Sequence, residues 1–428
     1  MQDTIHRPRH HASASSRHAS SLTSPSRAPS SVSPPPLSPL VVQLPPSTAN
    51  GVLRALLVHL PGRVFVRHAA DPDADDVNAT AASSMTLALS GDSALLMRAI
   101  VADLVPWREG AIALNVSVNM SSLPPTFDVD GASLLVDIDW PLARSLAYVS
   151  STAETVVDES ALANATTAKV ALVAVNNSLF ASLATPLTIH SLSLESSDKG
   201  LVQLEAPAVT TSGTMHLTAS CGDAVVAVAA DHVAAKNVCA TAMHAGSIYV
   251  ASHDVAVRSM VSTMAGNGVI SYYDYGTCGD HSITMLGSGD VYAGSLHCND
   301  TSVYSIGTGH VVLDGGHSLT ATHLGLGHLS YVRELPDVVA HIGFAPREGM
   351  HRVDKAFEKW SLVAVPPFAP KANDETGLSD VASLGAISGA STTWMMTDFE
   401  AMAALTVLVV VPMAMWTYVR RRHYSRVA

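Results

Sequence analysis

The chain has 428 residues, 48% of them hydrophobic but only 5% aromatic and 14% charged, and its net charge is −12. Residues 1–68 hold seven Arg and one Asp, and 420–428 hold four Arg and no acid; 69–419 therefore carry 13 basic against 35 acidic residues, a balance of −22. An acidic body lacks the cationic face that nucleic acid requires, which argues against nucleic-acid binding.

Residues 1–48 are rich in Ser, Pro, His and Arg and end in Pro34-Pro35-Pro36 and Pro45-Pro46. This composition cannot build a core, and the whole segment 1–68 is expected to be disordered. The Arg- and Ser-rich start has the composition of an organelle transit peptide but shows no amphipathic helix. Val52 to Leu60 is too short, and too interrupted by Arg54, to serve as a signal-peptide core.

Residues 69–180 read as β-strands between polar turns: Met85–Leu89, Ala111–Val118, Ser133–Ile138 and Ala168–Val175. From Pro186 the strands shorten and crowd: Leu187–His190, Leu192–Leu194, Leu201–Leu204, Met215–Leu217, Ala224–Val228. The interval from Gly213 to Gly246 fits no single turn and implies an insertion or a change of coil. Six N-x-[ST] sequons, at Asn78, Asn115, Asn119, Asn164, Asn176 and Asn299, are glycosylation candidates for an exported chain.

The segment 245–332 repeats itself. Gly266-Asn267-Gly268-Val269-Ile270 is followed by Gly287-Ser288-Gly289-Asp290-Val291, Gly307-Thr308-Gly309-His310-Val311 and Gly325-Leu326-Gly327-His328-Leu329. In this alignment Ile248, Ile270, Val291, Val311 and Leu329 share one position, and Val250, Tyr272, Ala293, Leu313 and Tyr331 another. Ser282, Thr284, Ser302, Tyr304, Thr320 and Thr322 alternate with apolar residues, the period of two that points one strand face inward. A β-rich repeat of roughly 20 residues is the pattern of a solenoid, with the paired glycines turning each corner. The rival architecture is a Gly-rich β-sandwich with strands at regular spacing.

Four cysteines and no C-x-x-C oppose a zinc ribbon or redox motif. Cys278 and Cys298 stand at the same distance before the second glycines Gly289 and Gly309, so they occupy equivalent positions one coil apart, within disulfide reach. The spacing of Cys221 and Cys239 is again near one coil, and a second axial disulfide is expected there.

Asp290, His310 and His328 are expected to stack just after the glycines, with His297 and His317 as a second ladder. Such groups could ligate a transition metal, but a polar outer face is the favoured reading, and neither metal nor cofactor is predicted. Asp254, Asp274, Asp280, Asp290, Asp300 and Asp314 recur as turn residues beside Arg258 alone, so a polysaccharide lyase or hydrolase is the minor alternative.

The recurrent Gly-Ser-Gly-Asp-Val turn resembles the auto-transporter adhesin head (GIN) domain family, most closely over 266–332, faintly back to 186. Leu89-Ser90-Gly91-Asp92-Ser93-Ala94-Leu95-Leu96 and Gly110 to Leu114 resemble its opening strands. The resemblance implies a right-handed β-helix-like fold and adhesion, with no catalytic residues to carry over. His310 and His328 stand where the family has Asp.

Residues 333–400 leave the repeat and read as a Pro-punctuated stalk or cap, with a short helix around Val353–Trp360. Ala401–Val419 is an unbroken uncharged, mostly apolar run followed at once by Arg420-Arg421-Arg422, the pattern of a transmembrane helix with a cytoplasmic basic tail, 420–428. The expectation is thus an all-β right-handed β-helix over 69–332 on a single-pass anchor, extracellular or lumenal. Its partners would be the bilayer and a glycan or protein surface, and its role adhesive or structural without catalysis. A tail-anchored scaffold facing the cytosol is the main rival.

Overall fold

The computed structural model describes residues 40–43, 52–68, 84–129, 131–141, 145–314, 316–335, 338–343 and 350–368. These residues form a β-solenoid of about nine turns. One winding, the continuous strand Leu201–Ser220, shows the plan. Leu201–Ala206 lies on a first face, Ala208–Thr211 on a short second face and Thr214–Ala219 on a third, each in parallel register with the next winding, Val225–His244.

The hydrophobic ladder runs as the repeat predicts. Val226, Ile248, Ile270, Val291, Val311 and Leu329 pair in succession on the first face, and all are buried. On the third face Met215, Leu217 and Ala219 point inward, then Val238, Ala240 and Ala242, then Met260, Ser262 and Met264. Alternation on the third face puts the intervening residues outside. Leu286, Ile306 and Leu324, the apolar residues just before the glycines, pair in register but face outward, while Met285, Ser305 and His323 take the inward places. Apolar character alone did not show which side of the pleat each occupied.

The interval between successive ladder residues shrinks from Ile248 and Ile270 to Val311 and Leu329, so the windings shorten towards the C-terminus. The first losses fall at the corner between first and second faces, where the register shifts between Ser252 and Val255, and the second-face pairing that begins at Leu187–Ile189 ends at Leu296–Cys298. Gly213 belongs to the corner between second and third faces, against the carbonyl of His190, whereas Gly246 opens a first face. The two glycines therefore serve different corners, and no insertion separates them.

At the corner between third and first faces, His244, Gly266, Gly287 and Gly307 stack in register. The three glycines have φ of 154°, 133° and 138°, open to glycine but not to side chains. The second glycines of each pair serve close approach: a Cβ on Gly309 would run into the carbonyl oxygen of Gly289 beneath it, and one on Gly327 into Gly309.

Three expected boundaries are corrected. The expected disorder of 1–68 fails at two places: Leu40–Gln43 is a strand paired antiparallel with Ser84–Leu87, and 53–68 are core, where Leu53–His59 and Arg63–His68 are strands with Leu53, Leu56, Val58, Val64 and Val66 buried. Arg54, which spoils a signal peptide, is simply an outward residue of an alternating strand. This winding lies between two later ones, pairing with Ile112–Val118 and Leu134–Trp140 on one side and with Tyr148–Ser151 and Glu154–Asp158 on the other.

The second correction concerns Leu89–Leu96. Ser84–Gly91 and Ile100–Pro106 pair antiparallel with the outermost strands, and between them Ala94–Ala99 is a helix whose first turn is capped by the Ser93 hydroxyl. They close a parallel edge that would otherwise invite pairing with another chain. Third, the coil continues past 332, since Val338–Gly343 pairs with Ser318–His323 and His351–Arg352 with Ser330–Tyr331.

Residues 353–368 are neither helix nor free stalk. They run extended back across the windings, over the outside of the first face, as a strap. Lys355 meets Tyr292, Phe357 packs on Tyr273, Trp360 on Tyr249 and Phe368 on Phe65. The strap backbone satisfies two buried polar side chains: Ser271 Oγ donates to the Glu358 carbonyl at 2.7 Å, and Gln203 exchanges two bonds with Val363 at 2.8 and 2.9 Å. Beneath it, Phe65, Val156, Phe180 and Leu201 form a second apolar cluster outside the coil. The segments 1–39, 44–51 and 369–428, including Ala401–Val419 and the tail 420–428, lie outside the described residues. Among the described residues no helix is long and apolar enough to cross a membrane.

Candidate interaction face and buried cysteine cluster

With the first face strapped over, the third face is the long one left to solvent. Its outward positions alternate with the core residues already described, so register carries each column from winding to winding. One column reads Glu195, Thr218, Thr241, Thr263, Thr284, Tyr304, Thr322. The five threonines are half-exposed. The neighbouring column reads Ser193, His216, Cys239, Val261, Ser282, Ser302, Thr320. Both columns are almost free of charge and repeat at the strand spacing of about 4.8 Å. The residues from Ser282 to Thr322 were visible as the polar half of the alternation; their alignment over Thr218, Thr241 and Thr263 needed the register.

Acids and histidines collect instead at the corner between first and second faces. Glu205, Asp231, His253 and Asp274 line an open groove of about 400 Å³. His253 lies 3.7 Å from Asp274 and 4.0 Å from Asp231, and His232 Nδ1 is 3.0 Å from Asp254. These are separate pairs at or near the surface, not a converging set.

The predicted histidine rows behave differently from each other. His310 and His328 stack at 5.2 Å and 10°, and His310 Nδ1 is 3.0 Å from Asp290, so that row is as expected. His297 and His317 do not pair in register: His297 pairs with Thr277 and reaches the buried Asp314 at 3.2 Å, which Arg333 also meets at 3.4 Å. Of the other candidate acids, Asp280 and Asp300 share one column with Ser318, Asp274 lines the groove, and Asp254 pairs with His232.

Cys278 and Cys298 are joined, with Cα atoms 4.4 Å apart in register on adjacent windings. Cys221 and Cys239 are free thiols. Here one winding is longer than the separation of the two cysteines: Cys239 pairs with His216, outward on the third face, and Cys221 turns the corner with φ 64°. The expected second disulfide fails because its spacing matched the wrong part of the solenoid.

Beside the joined pair stands a residue that sequence inspection passed over, His281, three positions after Cys278. Cys278, Cys298 and His281 are buried, and their ligand atoms lie within 4.8 Å of one another, the one such group of three among the described residues. His281 Nε2 is 2.9 Å from Ser262 Oγ, which is 2.7 Å from Tyr272 Oη. Burial holds the His281 imidazole down at about 4 and pushes the Tyr272 phenol up. The Cys-x-x-His spacing was its only sequence signal.

Among the sequons, Asn119, Asn176 and Asn299 are exposed and Asn115 is half-buried in a strand, whereas Asn78 lies outside the described residues. Asn164 is exposed too, but its amide nitrogen donates to the Pro186 carbonyl at 2.9 Å and its oxygen accepts from Thr188, tying one winding to the next.

No family model and no curated protein matches the chain. Solved structures do align with it over most of its length. A "putative adhesin" from Parabacteroides distasonis is 14% identical with a TM-score of 0.32 over 74% of this chain and 95% of its own. A "putative lipid binding protein" from the same organism is 12% identical, TM-score 0.34, over 74% and 96%. A "putative adhesin" from Parabacteroides merdae is 11% identical, TM-score 0.29, over 74% and 96%.

Proposed function

We propose that this chain is a membrane-anchored β-solenoid that binds a repetitive, neutral, hydroxyl-rich partner on its third face and performs no chemistry on it. A surface polysaccharide is the partner class that best fits this description. The observation that carries the reading is the outward column Thr218, Thr241, Thr263, Thr284 and Thr322. Each threonine hydroxyl both donates and accepts, so a row at fixed spacing matches a polymer with regularly repeated hydroxyls. The stack holds the row rigid before contact, which reduces the ordering cost of binding. Low charge on these columns suits a neutral partner. The adhesin-head resemblance of the glycine turns points the same way.

Anchoring through 401–419, with the body outside and Arg420–Arg422 in the cytoplasm, belongs to the same proposal. It is supported by the uncharged run and its basic flank, and the Cys278–Cys298 link suits an oxidising compartment. A solenoid tail-anchored towards the cytosol is the competing placement.

The test is binding of the full chain to a panel of immobilised neutral polysaccharides, beside the double variant Thr241→Arg/Thr263→Arg. The expected result is at least about a tenfold loss of affinity with circular dichroism unchanged, since two bulky charges would block the row. Retained binding would remove the third face from the reading. Shortening of the bound glycan would replace adhesion by catalysis.

A further inference from the structure

We propose that Cys278, Cys298 and His281, when the Cys278–Cys298 bond is reduced, form a buried zinc site bridging two windings. It is independent of the adhesive reading, because the cluster lies inside the coil and the third-face columns lie outside it.

Three observations carry it. The ligand atoms already converge: both sulfurs and one ring nitrogen lie within 4.8 Å of one another. Zn–S distances of about 2.3 Å and Zn–N distances of about 2.0–2.1 Å put tetrahedral ligand atoms roughly 3.5–3.9 Å apart, so small side-chain adjustments suffice. The ligands come from a rigid frame, Cys278 and His281 from one winding and Cys298 from the equivalent place on the next. Finally, His281 Nε2 is bonded to Ser262, itself bonded to Tyr272, so Nδ1 is the nitrogen left for the ion. A hydrogen-bonded partner that fixes the imidazole is the ordinary companion of a metal-binding histidine.

Charge selects the ion. Two thiolates and a neutral imidazole carry −2, and a divalent cation cancels this, which an apolar interior requires. Sulfur and nitrogen donors in a small tetrahedral space favour zinc over calcium or magnesium, which take oxygen. Reduction by an external dithiol adds two electrons and two protons to the S–S bond and gives two thiols, the dithiol becoming a disulfide. Zinc then displaces both thiol protons. Disulfide and zinc site are mutually exclusive, and either one links the same two windings.

The experiment uses the full chain carrying Cys221→Ser and Cys239→Ser, so that only the buried pair remains. Oxidised protein should hold no zinc after dialysis, and dithiol-reduced protein should hold one equivalent by elemental analysis. His281→Asn should weaken zinc binding by at least about tenfold while leaving oxidised protein folded. Cobalt(II) added to the reduced chain should give thiolate-to-metal charge-transfer absorption, a readout that needs no variant. A folded reduced chain that gives no cobalt–thiolate absorption overturns the proposal. So does zinc binding that His281→Asn leaves unchanged.

Discussion

Trp360 stacks on Tyr249, ring centroids 5.2 Å apart and 23° from parallel, joining two stretches of chain that are far apart in sequence. The pair pins the strap to the middle of the first face. Trp360→Ala should lower unfolding free energy by about 2 kcal/mol, the loss of a half-buried aromatic contact. Urea denaturation measures it, and amide exchange should rise at Val363 and Gln203 before the third face. Equal exchange on both faces would mean that the strap is not a separate layer.

The glycine stack should resist any side chain. Gly309→Ala places a methyl against the Gly289 carbonyl and is expected to cost more than about 2 kcal/mol or prevent folding. Gly110→Ala, where a Cβ meets nothing, should cost about 1 kcal/mol, from its φ of 75° alone. Thermal melts of both variants decide the order.

Stability of the oxidised chain should fall in mild acid. His281 is held at about 4 in the folded state against 6.5 unfolded, so the unfolded chain gains the proton first. The contribution is complete above pH 6.5 and is lost as pH falls towards 4, amounting to about 3 kcal/mol at most. Urea midpoints at pH 7 and pH 4.5 should converge between wild type and His281→Asn as acid is added. A constant difference would place the imidazole in contact with solvent.

Alkylation of the unreduced, unfolded chain should label Cys221 and Cys239 and leave Cys278 and Cys298 as a linked peptide. Breaking that link with Cys278→Ser opens a loop of 20 residues and should cost about 3 kcal/mol. A linked Cys221–Cys239 peptide in the mass spectrum would contradict the register at His216 and Cys239.

If the body faces outward, peptide-N-glycosidase should shift its mobility, with glycan at Asn119, Asn176 or Asn299. Asn164 should stay bare, because its amide nitrogen is spent on the Pro186 carbonyl. No shift, with Cys221 and Cys239 reactive in the native protein, would favour the cytosolic placement.

Where the chain repeats, its sequence could be read directly. Stacking Ile248, Ile270, Val291, Val311 and Leu329 required only that near-equal intervals return a residue to the same side, and the Cys278–Cys298 pair followed from the same interval. The same logic misled at Cys221 and Cys239, because the interval itself shortens along the solenoid and the early windings are the long ones. Burial on both sides of the first face had a signal too: Ile248-Tyr249-Val250 and Val291-Tyr292-Ala293 are unbroken apolar runs, as in covered strands.

By itself, then, the sequence determined the coil, its glycine corner and one axial disulfide, since each depends on residues spaced by a fixed local period. Only the tertiary structure decided that residues 53–68 form an inner winding, that 353–368 lie back along the first face, and that His281 joins two cysteines in the core. Those contacts unite segments with no common period. They arise because buried polar groups such as Ser271 and Gln203, and apolar surface such as Phe65, must find a cover wherever the chain can supply one.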